Sequence, residues 1–309
     1  MFNEVYFTIV PKLPKSSNQS KPRIAIIGGT GGMGVLFAEL FRKAGLEVLI
    51  GSRKVAGSYE KAISAADIVI VSVPIQAVPE TILCIKPFLK KNQLIVDFSS
   101  VQSPHHPSFK KLQCSAISVH PLFGPTVKDF VGQIFVFSEQ NKLTHKGVSF
   151  LKNFFRNLGG TIVDMTPKSH DSSMALIQAL IHVTHITTSA VIEDARSKAQ
   201  SKVGGKVGDK ATFLEKVSTP VYKLHRAVSG RIFSQPAELY ANILMTNPEV
   251  LKVIDAEILA LTKLRKVVAD KDYKKFEQTF NKTKDLLGAE NVKQCMQDTS
   301  KMLEIINKK

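Results

Sequence analysis

Short runs of apolar residues, separated by helical or turn-forming segments, make up the first half of the chain after about residue 20. Such runs are typical of buried strands, and we expect strands at 23–29, 47–51, 67–73, 93–98, 116–119 and 133–137. Between the first two, residues 32–44 place apolar side chains on one helical face, and Gly45 can end that helix. A short helix is expected around 59–65. Strands that alternate with helices predict an α/β fold with a mostly parallel, doubly wound sheet.

Long amphipathic stretches replace this pattern from Pro167 onward. They predict helices at 172–195, 211–229, 236–245, 248–269 and 272–307. Segment 196–210 (RSKAQSKVGGKVGDK) has no apolar periodicity and is rich in Gly, Ser and Lys, so we expect an exposed loop there. The sequence therefore predicts an N-terminal tail at 1–20, an α/β domain at 21–166 and an all-α helical domain at 167–309.

Composition and charge narrow the class of protein. Of 309 residues, 44% are hydrophobic and 22% are charged, which is typical of a soluble globular chain. The formal net charge is +16, but no basic run is interleaved with aromatic residues, so nucleic acid is not an expected partner. Cys84, Cys114 and Cys295 stand singly, which argues against zinc and disulfides and favours the cytoplasm. No segment approaches the roughly 18 apolar residues of a membrane span, so we expect no membrane partner.

A glycine-rich turn links the first predicted strand to the first predicted helix. Its GxGxxG pattern comprises Gly29, Thr30, Gly31, Gly32, Met33 and Gly34. In a Rossmann-type domain these glycines allow a tight turn and close approach of a pyrophosphate, and the helix N-terminus offers free N–H groups. Because strand, turn and helix follow in the required order, we predict a nicotinamide dinucleotide site, with a purely structural turn as the alternative. Val73 and Pro74, after the third strand, are expected to border this site.

The end of the second predicted strand indicates which dinucleotide is bound. An Asp or Glu there normally accepts hydrogen bonds from the free ribose hydroxyls of NAD. This chain has Ser52, Arg53 and Lys54 instead, a hydroxyl and two cations that could hold a 2′-phosphate. The sequence therefore favours NADP over NAD, unless Arg53 and Lys54 only solvate a turn.

Two polar motifs occur where neighbouring strands of the predicted sheet end. DFSSVQ (97–102) lies at the end of the fourth strand and HPLFGP (120–125) at the end of the next, so both belong at the carboxyl edge, where ligands bind. His120 is placed to accept a proton from a substrate hydroxyl while a hydride is removed. The alternative is a core histidine that is bonded to the backbone.

These motifs, together with GGTGGMG, ADIVIVSVPI, HDSSMALIQALIH, STPVYKL and GRIFSQPAELYANILM, resemble the prephenate dehydrogenase family from about Lys21 almost to the end of the chain. That family oxidatively decarboxylates prephenate to 4-hydroxyphenylpyruvate for tyrosine synthesis and reduces NAD(P). The resemblance implies a homodimer with a Rossmann domain and a helical domain for substrate binding and dimerisation. The alternatives are arogenate as the substrate, another Rossmann oxidoreductase, and an inactive dinucleotide sensor.

The resemblance also implies roles for individual residues. His120 corresponds to the catalytic histidine, which accepts the proton of the substrate's ring hydroxyl, and Ser100 corresponds to the serine that orients it. Arg231 corresponds to the arginine that binds a substrate carboxylate. The remaining expected substrate-binding residues are His182, Gln178 and Lys223.

Four positions leave their roles open. His170 and Asp171 stand at the start of a predicted helix, where they could cap it, act as a hinge or take part in the chemistry. Gln102 replaces a lysine common in the family, and Lys223 replaces an arginine of the bacterial relatives. The electrostatics around substrate and cofactor are therefore expected to differ from those of the relatives.

Overall fold

The structure, a computed structural model, describes residues 21–141, 143–201 and 217–308. The predicted tail at 1–20 lies outside the described residues. So do most of the predicted loop at 196–210 and the first part of the predicted helix that follows it.

The chain divides into two compact units. The first, called the α/β unit, comprises the residues up to Met174 together with Ala241–Pro248. The second, called the helical unit, comprises Ala175–Tyr240 and Glu249–Lys309. A short segment from late in the chain thus belongs to the α/β unit.

A seven-stranded sheet forms the centre of the α/β unit. Its strands are β1 (Ile24–Ile27), β2 (Val48–Gly51), β3 (Ile68–Val71), β4 (Leu94–Asp97), β5 (Ser115–Pro121), β6 (Ile134–Glu139) and β7 (Thr161–Asp164). The spatial order is β2-β1-β3-β4-β5-β6-β7, and every neighbouring pair is parallel except β5 and β6. The predicted α/β fold with a mostly parallel sheet is confirmed. Strand β7 was not predicted from the sequence, because it is only half-buried and carries no continuous apolar run.

Helices cover both faces of this sheet. They are α1 (Gly32–Lys43), α2 (Ser58–Ala65), α3 (Val78–Ile85), α4 (His106–Lys110) and α5 (Lys146–Asn157), with short 3-10 turns at Ile75–Ala77, Lys86–Phe88 and Ser103–His105. Neighbouring residues of β1 enter different apolar clusters: Ile26 packs with the phenylalanines of α1 and α5, and Ile27 packs with α2, α3 and α4. The predicted helix at 32–44 is confirmed, and Gly45 follows it in the left-handed region (φ 77°).

The rest of the chain is helical where the structure describes it. Helix α6 (Pro167–Met174) continues through a π-helical turn (Ala175–Ala179) into α7 (Leu180–Ser201), and then follow α8 (Pro220–Phe233), α9 (Ala237–Thr246), α10 (Val250–Ala269), α11 (Tyr273–Leu287) and α12 (Ala289–Asn307). The expected loop at 196–210 is wrong at its start, since residues 196–201 extend α7. Ion pairs one turn apart support this extension, as between Lys198 and Asp194 (2.6 Å). The single helix expected at 272–307 is also wrong, because Gly288 (φ 80°) separates α11 from α12.

One helical stretch is long and apolar enough to cross a membrane by length and composition. It runs over Pro167–Lys198, and 11% of its most apolar window is buried. The expectation that no segment reaches this threshold is therefore wrong. Helices of soluble proteins also pass this test, and an exposed apolar helix is equally typical of a surface that binds another subunit.

Candidate active site

The glycine turn has the geometry that a bound pyrophosphate requires. The N–H of Gly31 donates to the carbonyl of Gly28 (3.0 Å), and α1 begins without a side-chain cap or an acidic residue in its first turn. A Cβ on Gly34 would lie 2.6 Å from the Gly28 oxygen and 2.7 Å from the Gly29 Cα, so only glycine allows this close packing. The free N–H groups at the start of α1 can therefore receive phosphate oxygens.

Gly28 is a feature of this turn that sequence reasoning missed. Its φ is +85°, and a Cβ there would lie 2.3 Å from the Ser72 carbonyl oxygen and 2.9 Å from Val73 Cγ1. Its position directly before the GxGxxG pattern could have indicated that this residue also has to be glycine. The contact also shows that Val73, an expected cofactor residue, borders the turn, and the exposed Pro74 follows it.

The residues expected to select NADP lie at the end of β2, beside this turn. The N–H of Gly28 donates to the Gly51 carbonyl (3.2 Å), which joins the ends of β1 and β2. Ser52 is held through its backbone, since its N–H donates to Ser58 Oγ (3.0 Å) and its carbonyl accepts from the same hydroxyl (2.7 Å). Arg53 and Lys54 are exposed next to it. The structure therefore brings together the candidate cofactor residues from the ends of β1, β2 and β3.

His120 lies at the carboxyl end of β5 and is 3% exposed. Its Nδ1 is 2.9 Å from Nε2 of His170, whose Nδ1 is 2.8 Å from Oδ1 of Asp171. The loop after His120 reaches the glycine turn, because Pro125 Cγ would lie 3.1 Å from a Cβ on Gly32. The alternative of a histidine bonded to the backbone is not what the structure shows, since the partner of His120 is the imidazole of His170.

The buried surroundings of His120 determine its charge. Burial, with a smaller contribution from His170, lowers the pKa of His120 from 6.5 to about 3, although the Asp171 carboxylate opposes this shift. Burial alone would raise the pKa of Asp171, but hydrogen bonds from His170, Ser103 and the backbone of Gln102 outweigh burial, so this pKa lies below its ordinary value. At neutral pH His120 is therefore a neutral imidazole, which can accept a proton, and Asp171 is a carboxylate.

Ser100 lies on a braced turn after β4. Oγ of Ser99 is 2.6 Å from an Asp97 carboxylate oxygen and 2.7 Å from the Val101 carbonyl oxygen. Ser100 itself is half-buried. Within the part of the chain that the structure describes, no hydrogen bond joins Ser100 to His120, so its orienting role stays a prediction.

The helical unit holds the expected substrate-binding residues, and three of them share one neighbourhood. Oε1 of Gln178 and Nδ1 of His182 are shielded from solvent and have no hydrogen-bond partner among the described residues. The His182 ring packs edge-on against Tyr240 (4.8 Å between centroids). Burial raises the pKa of Tyr240, and the nearby Arg231 opposes this shift. Tyr240 thus lies near both His182 and Arg231, although the sequence analysis did not identify it as a site residue.

The local backbone supports a binding role for this group. Gln178 belongs to the π-helical turn before α7, a distortion that is frequent at functional sites. Burial, with a contribution from His185, lowers the pKa of His182. Lys223 does not join the group, because its Nζ donates to Asn307 Oδ1 (2.8 Å). Among the described residues, no group of three His, Cys, Asp or Glu side chains could hold a metal ion.

Comparison with known proteins gives the family. The nucleotide-binding domain model of prephenate dehydrogenase matches residues 42–164, and the dimerization domain model of the same enzyme matches residues 166–282. The chain is 30% identical over 296 residues to the T-protein of Haemophilus influenzae, an alignment that covers 95% of this chain and 74% of that protein. It is 26% identical over 287 residues to the probable arogenate/prephenate dehydrogenase of Methanocaldococcus jannaschii, covering 86% of this chain and 61% of that relative.

Solved structures show the same fold. The structure of prephenate dehydrogenase from A. aeolicus in complex with hydroxyphenyl propionate and NAD+ has a TM-score of 0.66 at 17% identity, covering 87% of this chain and 98% of that one. Synechocystis arogenate dehydrogenase has a TM-score of 0.63 at 20% identity, covering 85% and 98%. These matches confirm the Rossmann-type sheet followed by a helical domain. The chain belongs to the prephenate dehydrogenase family and is an NAD(P)-dependent dehydrogenase.

Proposed function

We propose that this chain oxidises prephenate to 4-hydroxyphenylpyruvate and carbon dioxide, with NADP as the favoured cofactor. The observation that carries the proposal is a buried, neutral His120 at the carboxyl end of β5. The loop that follows His120 packs Pro125 against Gly32 of the glycine turn, which supports a proton acceptor and a dinucleotide site in one unit.

The glycine turn and the ends of β2 and β3 fit a dinucleotide. Bound there, a nicotinamide dinucleotide would supply the hydride acceptor. His120 accepts the proton of the substrate's ring hydroxyl, so that this oxygen becomes a carbonyl as the ring C–H bond is lost. The bond from the ring to its carboxylate then breaks and carbon dioxide leaves. The electron pair of that bond makes the ring aromatic and turns the carbonyl into a phenolate oxygen, which takes up a proton to give the hydroxyl of 4-hydroxyphenylpyruvate. His120 has to be neutral for its part, and burial keeps it so.

The cofactor preference rests on the end of β2. Ser52 offers a hydroxyl, and the exposed Arg53 and Lys54 offer cations where NAD-binding domains carry a carboxylate. A guanidinium can contact a 2′-phosphate through two N–H groups, whereas nothing in this segment accepts hydrogen bonds from two free ribose hydroxyls as a carboxylate does.

The helical unit holds candidate partners for the substrate's charges. We assign Arg231 to a substrate carboxylate, because its planar guanidinium suits two carboxylate oxygens. Gln178 and His182 present shielded polar atoms without partners, which a polar substrate group would satisfy. Arogenate carries an amino group where prephenate has a keto oxygen, and it is the alternative substrate.

The remaining proposals concern organisation. We place the domain boundary at 166/167, within two residues of the end of the nucleotide-binding model (164) and the start of the dimerization model (166). We propose a cytoplasmic homodimer that forms through the helical domain. Exposed apolar side chains on α10, such as Leu251 (73% exposed) and Val268 (63%), support an interface there.

The test measures initial rates of NAD and NADP reduction with prephenate and with arogenate, in all four combinations. We expect the highest kcat/KM with prephenate and NADP. Activity confined to arogenate would show that arogenate, not prephenate, is the substrate. Preference for NAD would refute the assignment of Ser52 and Arg53 to the 2′-phosphate of NADP. His120→Asn should lower kcat by about 10²-fold or more while the cofactor Kd stays unchanged. No turnover in any combination would contradict the proposed dehydrogenase activity and would favour an inactive dinucleotide sensor.

A further inference from the structure

Asp171 is a buried carboxylate that two segments of the α/β unit share. Its side chain is 1% exposed. Oδ1 accepts hydrogen bonds from the N–H of Gln102 (2.9 Å) and lies 2.8 Å from Nδ1 of His170, while Oδ2 accepts from the N–H (2.7 Å) and Oγ (2.5 Å) of Ser103. Its own carbonyl accepts from Asn247 Nδ2 (2.8 Å), which fixes the backbone. Both oxygens are therefore engaged by donors, and the position of the carboxylate is fixed.

This arrangement decides where the protons of the two histidines lie. An ionised Asp171 can only accept, so Nδ1 of His170 carries a proton toward it. With this proton on Nδ1, the other ring nitrogen of His170, Nε2, is the acceptor, and it lies 2.9 Å from Nδ1 of His120. His120 therefore donates through Nδ1–H, which leaves its Nε2 unprotonated as the nitrogen that can accept a substrate proton.

The same carboxylate also holds the segment that follows Ser100. Gln102 and Ser103 donate to Asp171 directly after the turn that carries Ser100. A shift of Asp171 would thus displace the Ser100 turn and the hydrogen bond to His170 together. A cap role does not account for this geometry, because the donors come from a segment distant in sequence and from an imidazole rather than from the backbone of the first turn of α6.

We propose that His170 and Asp171 are positioning residues, which hold His120 in the Nδ1–H tautomer and fix the Ser100 turn relative to it. This inference rests on the proposed function of His120 as the proton acceptor. When His120 takes up a proton at Nε2, the bond from its Nδ1–H to His170 is kept, and the Asp171 charge stabilises the imidazolium through the intervening ring. An amide in place of the Asp171 carboxylate would turn its NH₂ group toward N–H or O–H donors that need an acceptor, so some of these hydrogen bonds would be lost.

The first experiment compares Asp171→Asn with Asp164→Asn, a control at an exposed carboxylate in the same unit. We expect Asp171→Asn to lower kcat by about 10²-fold with an unchanged cofactor Kd, and Asp164→Asn to stay within about twofold of wild type. His170→Gln keeps an oxygen that can accept from His120, so it should retain at least about tenfold more activity than His170→Leu. Equal kcat values for Asp171→Asn and wild type, or for the two His170 variants, would overturn the proposal.

The second experiment does not depend on turnover. Nitrogen-15 NMR of histidine-labelled protein, with the His120 signals assigned by their loss in His120→Asn, reports which ring nitrogen is protonated. We expect the Nδ1–H tautomer in wild type and its loss in Asp171→Asn. An Nε2–H tautomer in wild type would overturn the positioning role even if the variant fails to fold. If wild type turns over neither prephenate nor arogenate while its His120 is the Nδ1–H tautomer, the proposed function fails and the positioning role stands.

Discussion

Acidification should destabilise this protein through His120, over a pH range that can be stated in advance. The pKa of this imidazole is lowered from 6.5 to about 3 in the folded chain. Between these pH values His120 is therefore protonated in the unfolded chain but neutral in the folded chain. The folded state therefore loses stability as the pH falls below about 6.5, by about 1.4 kcal/mol for each pH unit. Between pH 6.5 and 4.5 the loss is about 2–3 kcal/mol, a large part of the about 5–15 kcal/mol that folded proteins have.

The assay is urea unfolding followed by far-UV circular dichroism at several pH values from about 7.5 to 4.5, for wild type and His120→Asn. Asparagine does not titrate, so the other ionisable groups contribute to both proteins and the difference between them isolates His120. Asp171 titrates in a lower range, because its folded pKa lies below 3.8 and its contribution is lost only as the pH falls through that value. We expect the stability difference to be constant above about pH 7 and to change by about 1.4 kcal/mol per pH unit below 6.5. Parallel pH dependences would refute the buried, neutral state of His120.

Substitutions at three further positions test the binding residues. Gly34→Ala should weaken dinucleotide binding more than about tenfold, because its Cβ would meet the backbone of Gly28 and Gly29 at 2.6–2.7 Å; an unchanged Kd in a cofactor titration would show that the turn is not the site. Arg231→Gln should raise the KM for substrate by about tenfold or more and leave the cofactor Kd alone, with Arg231→Lys in between; an unchanged KM would remove Arg231 from the site. Arg53→Ala should weaken NADP binding by about tenfold but leave NAD binding unchanged, and an equal effect on both would exclude contact with a 2′-phosphate.

The fold was accessible from sequence wherever a segment is buried on both sides. Strands β1, β3 and β4 are fully buried and read as continuous apolar runs, which predict parallel strands. β7 escaped prediction because half-exposed edge strands carry no such run. The break at Gly288 was missed because the helical periodicity on either side is strong, although its glycine was a visible signal.

The site was accessible in part. The glycine turn is a local pattern, since its strand, turn and helix follow one another, and the sequence alone located it. The link between His120 and His170 is a contact over 50 positions along the chain, so the residue types at both ends could be read but not their pairing. Tyr240 likewise lies beside His182 through a contact between residues distant in sequence, which residue types alone do not reveal.

The most direct test of prephenate dehydrogenase activity is the stoichiometry of the reaction. Purified protein is mixed with prephenate and NADP, and reduced nicotinamide, carbon dioxide and 4-hydroxyphenylpyruvate are quantified in the same sample. We expect the three products in equal amounts, and a loss of all three together in His120→Asn. Reduced nicotinamide without carbon dioxide, or undiminished product formation by His120→Asn, would contradict oxidative decarboxylation with His120 as the proton acceptor.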